Sequence, residues 1–178
     1  MKRWAMLCGA MLLFAGIASA QDNPKVEVFG GYSYVHVSVS GQNATANMNG
    51  GSASISYNVF PWLGAVADFG GYHGGTNGVN GDVYTYLFGP KVAYRYGKFT
   101  PFVQALFGGG HVTAGNNFNF GSSENAFATA LGGGLDWNAT PHIGVRLIQA
   151  EYLMTKFTDG LNDRQNNARI SAGVVFRF

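Results

Sequence analysis

Gly51-Ser52-Ala53-Ser54-Ile55-Ser56-Tyr57-Asn58-Val59-Phe60 sorts its residues by parity. Gly51, Ala53, Ile55, Tyr57 and Val59 make a small-to-apolar series. Ser52, Ser54, Ser56 and Asn58 make a polar one, broken only by Phe60 at its end. A period of two marks a strand with unlike faces, and no stripe at 3.6 residues competes with it. Val83–Tyr96 repeats the pattern: Tyr84, Tyr86, Phe88, Pro90, Val92, Tyr94 and Tyr96 alternate with Val83, Thr85, Leu87, Gly89, Lys91, Ala93 and Arg95. So does Ala168–Phe178, where Ala168, Ile170, Ala172, Val174, Phe176 and Phe178 alternate with Arg169, Ser171, Gly173, Val175 and Arg177.

Length decides what kind of strand this is. Strands of soluble domains run about 5–6 residues, whereas a tilted strand crossing a bilayer needs roughly 9–11. These segments have the second length. Eight of them are read along the chain, at about 25–39, 50–59, 63–73, 82–96, 100–113, 125–138, 143–155 and 167–178. Their connections alternate. Short turns fall around Pro61-Trp62, Gly97-Lys98 and Thr140-Pro141. Longer stretches rich in Gly, Asn, Ser, Thr and Asp fall at Ser40–Asn49, Gly74–Gly81, Ala114–Glu124 and Lys156–Asn166. Hydrocarbon offers a backbone amide no hydrogen-bond partner, so only helices or sheets without edges can span it. The expectation is an all-β fold: an eight-stranded antiparallel up-and-down transmembrane β-barrel with short periplasmic turns and longer extracellular loops.

The amino-terminal segment stands apart. Met1-Lys2-Arg3 is basic, Trp4 to Ile17 is almost wholly apolar, and Ala18-Ser19-Ala20 has the small-x-small pattern of a cleavage site. Residues 1–20 are read as a signal peptide and 21–178 as the barrel domain. The only cysteine, Cys8, lies in the former, so the mature chain has no thiol chemistry. Taking Lys2 and Arg3 from the 11 basic residues leaves 9 against 9 acidic ones, which gives no grounds for nucleic-acid binding. Charged residues are 11% of the chain, against about 25% in soluble domains, and aromatics reach 15%.

If the apolar faces meet lipid, Glu27, Asp68, Lys91, Arg95, Asp136, Glu151, Arg169 and Arg177 fall on the lumen face. Paired across a narrow interior they make a plug; arranged as a gate they make an ion path. The seventh segment breaks parity. Gln149 and Glu151 share a phase with Val145 and Leu147, and Arg146 takes the opposite one. Either a bulge shifts the register or Arg146 sits at the membrane rim. Phe60, Trp62, Tyr94, Tyr96, Phe99, Trp137 and Phe178 gather on the turn side. Tyr32, Tyr34, Tyr84, Phe127 and Tyr152 lie nearer the loops, as two aromatic girdles would.

Other motifs carry less. The runs Gly108–Gly110 and Gly132–Gly134 precede no helix and no Gly-Lys-Ser/Thr, so they give room inside a barrel and hold no nucleotide. His36, His73 and His111 lack metal-ligand spacing, and no Gly-x-Ser-x-Gly elbow is present. No catalytic residue, cofactor or metal is expected, and a monomer is.

Lys25–Tyr34 (KVEVFGGYSY), Phe88–Lys91 (FGPK), Thr100–Val103 (TPFV), Leu131–Asp136 (LGGGLD) and Ser171–Phe178 (SAGVVFRF) together resemble the outer-membrane β-barrel protein family. The likeness is to the OmpA-type N-terminal eight-stranded barrel and to small opacity-type surface proteins, over residues 25–178. It implies bacterial outer-membrane lipid as surroundings. It also implies an assembly signal at Val174, Phe176 and Phe178, with the assembly machinery and periplasmic chaperones as transient partners. The function expected is a non-enzymatic surface barrel serving membrane integrity, adhesion or interaction through loops Ser40–Asn49 and Lys156–Asn166. A small pore, or a lipid-acting enzyme with His111 or His36 as base, is the alternative. A lipocalin-like soluble barrel would turn the charged face to water. The expected outcome on fractionation is an outer-membrane pellet whose gel mobility changes on boiling. A soluble chain indifferent to heating overturns the reading.

Overall fold

The structure, a computed structural model, describes residues 24–38, 45–76, 79–115, 122–156 and 164–178. The segment read as a signal peptide lies outside the described residues. Eight strands follow one another: β1 (Val26–Ser38), β2 (Thr45–Asn58), β3 (Leu63–Thr76), β4 (Val79–Ala93), β5 (Phe99–Gly115), β6 (Ser122–Asn138), β7 (Ile143–Lys156) and β8 (Arg164–Arg177). Each pairs antiparallel with its neighbours in sequence, and β1 pairs with β8, so the sheet closes into a barrel. This is the all-β architecture the alternation predicts.

Closure is staggered. A row of paired residues that leaves β1 at Val28 and passes through Ile55, Ala67, Phe88, Phe107, Thr129, Met154 and Asn166 returns to β1 at Ser38, ten residues on. With about 3.3 Å per residue and about 4.8 Å between strands, that offset tilts the strands by about 40° and sets a radius of about 8 Å. Such an interior has room for side chains and little else.

Sidedness follows parity. Tyr57, Ile55, Phe69, Tyr86, Phe88, Val103, Phe107, Leu131, Ile170 and Phe176 point outward and are exposed, while Ser52, Ser54, Ser56, Asp68, Leu87 and Arg169 point inward and are buried. A belt of apolar side chains covering the outside and polar ones enclosed is inverted relative to a soluble barrel. At the turn end, exposed Phe60 and Trp62 stack with centroids 6.1 Å apart, and Tyr94 and Tyr96 at 6.4 Å. The β4–β5 turn is tight: Tyr96 and Phe99 exchange backbone hydrogen bonds at 2.9 and 3.0 Å around Gly97, which takes φ 56°. That left-handed conformation suits glycine best.

The long connections are shorter than composition predicts. β2 begins at Thr45 within the expected loop Ser40–Asn49, β3 and β4 leave only residues 77–78 between them, and β8 begins at Arg164 within Lys156–Asn166. Antiparallel pairing needs backbone groups alone, so it runs on through Gly, Asn and Thr where no unlike faces announce it.

The parity conflict in β7 is a bulge. Leu135 pairs with Ile148 and Asp136 with Arg146, while on the other side the register slips between Arg146 and Gln149. Leu147 and Ile148 are therefore both exposed, and Arg146 and Gln149 both buried. Arg146 is inside the wall, not at the rim. Deleting Leu147 removes the spare residue and restores plain alternation. The expected outcome is a barrel that still refolds into lipid and still shifts on boiling. Deleting Ala172 from β8, which has no spare residue, drives Arg169 or Arg177 into lipid at a cost of about 2–4 kcal/mol. That variant is expected to lose the heat-shifted form.

Candidate functional site: the barrel lumen

Inward side chains meet in one connected network. Glu27 on β1 takes Lys91 from β4 at 2.5 Å and Arg95 beyond it at 2.9 Å, and Arg177 of β8 stands 3.5 Å away. Arg177 also reaches Asp136 of β6 at 3.3 Å. Asp136 accepts from Arg146 through both oxygens, at 2.8 and 3.2 Å. Arg146 donates to Gln149 at 2.6 Å, and Gln149 to Glu151 at 2.8 Å. Glu151 holds Gln104 at 2.8 Å and Arg169 at 2.6 Å. Arg169 then crosses to β3, donating to Asp68 and to the Tyr72 hydroxyl, each at 2.8 Å.

All of the eight charged residues on the predicted lumen face lie in this network. Seven are buried; Arg95, just beyond β4, is 17% exposed at the mouth, where it also donates to the Pro61 carbonyl. Sequence reasoning did not settle Arg146, met Gln149 only in the parity conflict of the seventh segment, and did not single out Gln104 or Tyr72. The adjacent apolar pair Leu147-Ile148, inside an otherwise alternating strand, is the signal that marks the bulge.

Arg146 is held from every side. Its guanidinium lies 4.4 Å from the Phe29 ring centroid and 4.3 Å from that of Phe102, stacked between two inward aromatics. Such stacking contributes more when water is excluded. Glycine makes the space these groups use. A Cβ on Gly134 would come within 2.8 Å of the Phe102 ring, and one on Gly132 within 2.6 Å of the Glu151 side chain. The inward members of the Gly132–Gly134 run thus accommodate bulky neighbours.

On β4 to β7 an apolar band lies loopward of the network, with buried Thr85 and Thr155 beyond it. Leu87 lies loopward of Lys91, Leu106 of Gln104, Ala130 of Asp136 and Leu153 of Glu151, and together with Val66 and Ala128 they pack into one cluster. Val35, Met48 and Tyr72 form a second, with Val37 and Val83 against it. Between the two chemistries Ser33 bridges Ser52 and Ser171 with hydrogen bonds of 2.7 Å each, tying β1 to both its neighbours.

The histidines face outward. His36 bonds to Asn47 at 2.8 Å and His73 pairs with Asp82 at 2.6 Å, both exposed. Among the described residues no three His, Cys, Asp or Glu side chains converge as metal ligands.

An inverted barrel of this size is a membrane protein's, and the sequence agrees: the profile of the outer membrane protein beta-barrel domain matches residues 5–178. The chain belongs to that family. The outer-membrane barrel resides in the bacterial outer membrane, with lipid around its wall. Among solved structures it is similar to Neisserial surface protein A, at 14% identity and TM-score 0.73, covering 86% of this chain and 97% of that one. It is also similar to the attachment invasion locus protein of Yersinia pestis, at 21% and 0.58, covering 86% and 99%. A third is the N-terminal barrel of Pseudomonas aeruginosa OprF, at 15% and 0.58, covering 88% and 100%. No curated protein matches this outer-membrane barrel by sequence.

Arg169 pairs with both Asp68 and Glu151 deep inside the wall. Arg169→Met is expected to cost about 3–5 kcal/mol, because it leaves two buried carboxylates without their cation. Adding Asp68→Asn and Glu151→Gln to it is expected to recover most of that loss. Urea unfolding of the refolded barrel in lipid vesicles measures both. A single-variant cost below about 1 kcal/mol means water reaches the lumen.

Proposed function

We propose that this outer-membrane barrel is a non-enzymatic surface protein: its lumen is a structural plug, and its loops carry contacts with molecules outside the cell. One observation supports the plug above others. The ionic network at the turn end is capped on β4 to β7 by Leu87, Leu106, Ala130 and Leu153. A hydrated ion following the charges would have to shed water among these side chains, which offer nothing in return. The lumen network then serves stability and uniqueness of packing, and no catalytic group is assigned.

With the interior filled, the surface left for recognition is at the strand ends. Strands that project through Thr45, Thr76 and Gly115 support the connections at 39–44, 77–78, 116–121 and 157–163 on a stiff rim. Adhesion or interaction through these loops is the reading, on the precedent of the attachment protein whose barrel is similar. At that identity the likeness carries the fold and names no ligand. Residues 1–20 act as the signal peptide, and Val174, Phe176 and Phe178 form the strand read by the assembly machinery, with periplasmic chaperones before it. Val174 and Phe176 are exposed on the outer face, where such a reader can reach them before insertion. The folded protein is a monomer.

In planar bilayers the purified barrel is expected to give no resolvable conductance steps. Replacing residues 39–44 and 157–163 with Gly-Ser stretches is expected to abolish cell binding and leave the shift on boiling intact. Regular channel steps, or binding that survives loss of both loops, overturns the proposal.

A further inference from the structure

The outer face of β1 to β4 carries a row in which two tyrosines flank two glycines. Tyr32 pairs with Gly51, Gly51 with Gly71 and Gly71 with Tyr84, so the middle of the row has no side chains. Both tyrosines are exposed on the outer wall. The Tyr84 ring lies along the row over Gly71, where a Cβ would be 3.5 Å from it, in ordinary contact. A Cβ on Gly51 would meet only the Gly31 carbonyl oxygen, at 3.6 Å. The result is a shallow recess with a backbone floor between aromatic walls.

The next row on the same face, loopward, holds Asn49, His73 and Asp82. None of the three is buried. Hydrogen bonds fix their positions: the Tyr32 hydroxyl donates to Asn49 Oδ1 at 2.5 Å, and His73 Nδ1 donates to Asp82 at 2.6 Å. That leaves the Asn49 amide N–H groups as donors, with His73 Nε2 and the second Asp82 oxygen as acceptors. These side chains include no Lys or Arg, so a phosphate finds no fixed cation here and is repelled by one carboxylate. Donors and acceptors beside an aromatic face suit a ring of hydroxyls, which donates and accepts at once while its C–H face packs on the aromatic one. The stagger of the sheet carries both rows toward the loops from β1 to β4. Tyr32 therefore stands lower, in the aromatic girdle, and Tyr84 and Asp82 stand higher, among headgroups.

We infer that this recess binds the saccharide headgroup of an outer-leaflet glycolipid. The sugar ring lies against Tyr84 and bonds to Asn49, His73 and Asp82, and an acyl chain leaves over Gly51 beside Tyr32. Below Gly51 the outer face continues with Ala53, paired to Gly30, so the chain descends along a smooth wall. The bound lipid anchors the barrel in the leaflet that its loops face. The inference goes beyond the reading of the loops as contact sites and does not rest on it, because the recess is built on the strands.

The wild-type barrel is refolded in phosphatidylcholine vesicles that contain a minority of diglucosyl diacylglycerol, transferred to detergent and weighed by native mass spectrometry. The expected result is retained glycolipid, enriched about tenfold over its share of the vesicle lipid. Gly51→Val fills the recess with a side chain that suits a strand; it is expected to keep the shift on boiling and lose the glycolipid. Asn49→Leu is expected to lose most of the enrichment. If a variant does not fold, the His73 and Tyr84 ring resonances of the wild type decide: they are expected to move with the glycolipid and to stay put with phosphatidic acid. Retention no greater than that of phosphatidylcholine overturns the inference. So does a preference for phosphatidic acid, retention that survives Gly51→Val, or maltose in solution binding as tightly as the glycolipid.

Discussion

A peptide amide in hydrocarbon has only other peptide groups to bond with, and every other property of this molecule follows from that shortage. A sheet with an edge would leave a row of N–H and C=O groups unpaired across the bilayer. The sheet therefore closes, β8 on β1, and closure at eight strands fixes a narrow interior. Once the outside is committed to Ile55, Phe88, Val103 and Ile170, strict alternation forces the remaining polar and charged residues inward. The ionic lumen is thus the obligate complement of an apolar exterior.

Charges forced into so small a space have to satisfy one another. The network does so by combining strands far apart in sequence: Arg169 of β8 with Asp68 of β3, Glu27 of β1 with Lys91 of β4. Such pairs repay their desolvation only when geometry is good. Arg146, with its two-oxygen grip on Asp136 and its aromatic sandwich, meets that standard, and it does so because the bulge at Leu147-Ile148 turns it inward. A local irregularity thus secures the best-coordinated cation in the lumen.

How far the sequence could be read depended on how strongly lipid dictates each position. Within the bilayer every residue must choose a face, so Gly51–Phe60 and Ala168–Phe178 declare both strand and sidedness. Beyond the bilayer nothing enforces the choice, and the strand extensions at Thr45–Asn49 and Arg164–Asn166 look like loop. Charged residues were legible by parity, since each is out of place in hydrocarbon. Gln104 and Tyr72 were not, because neutral polar and aromatic side chains are tolerated in either setting. Nor does parity reveal partners, which depend on the ten-residue stagger of the closed sheet. Arg146 stayed ambiguous because two readings satisfied the same local pattern.

The seam between β1 and β8 has a consequence in time. Lys25 and Val26 donate to the carbonyl of Phe178, and the Phe178 amide donates back to Val26, so the start of β1 is bonded to the residue that follows β8. Synthesis produces β1 first of the eight strands and β8 last. The oldest strand must wait, unsatisfied, until the newest one exists. No chain that lacks β8 can close the wall.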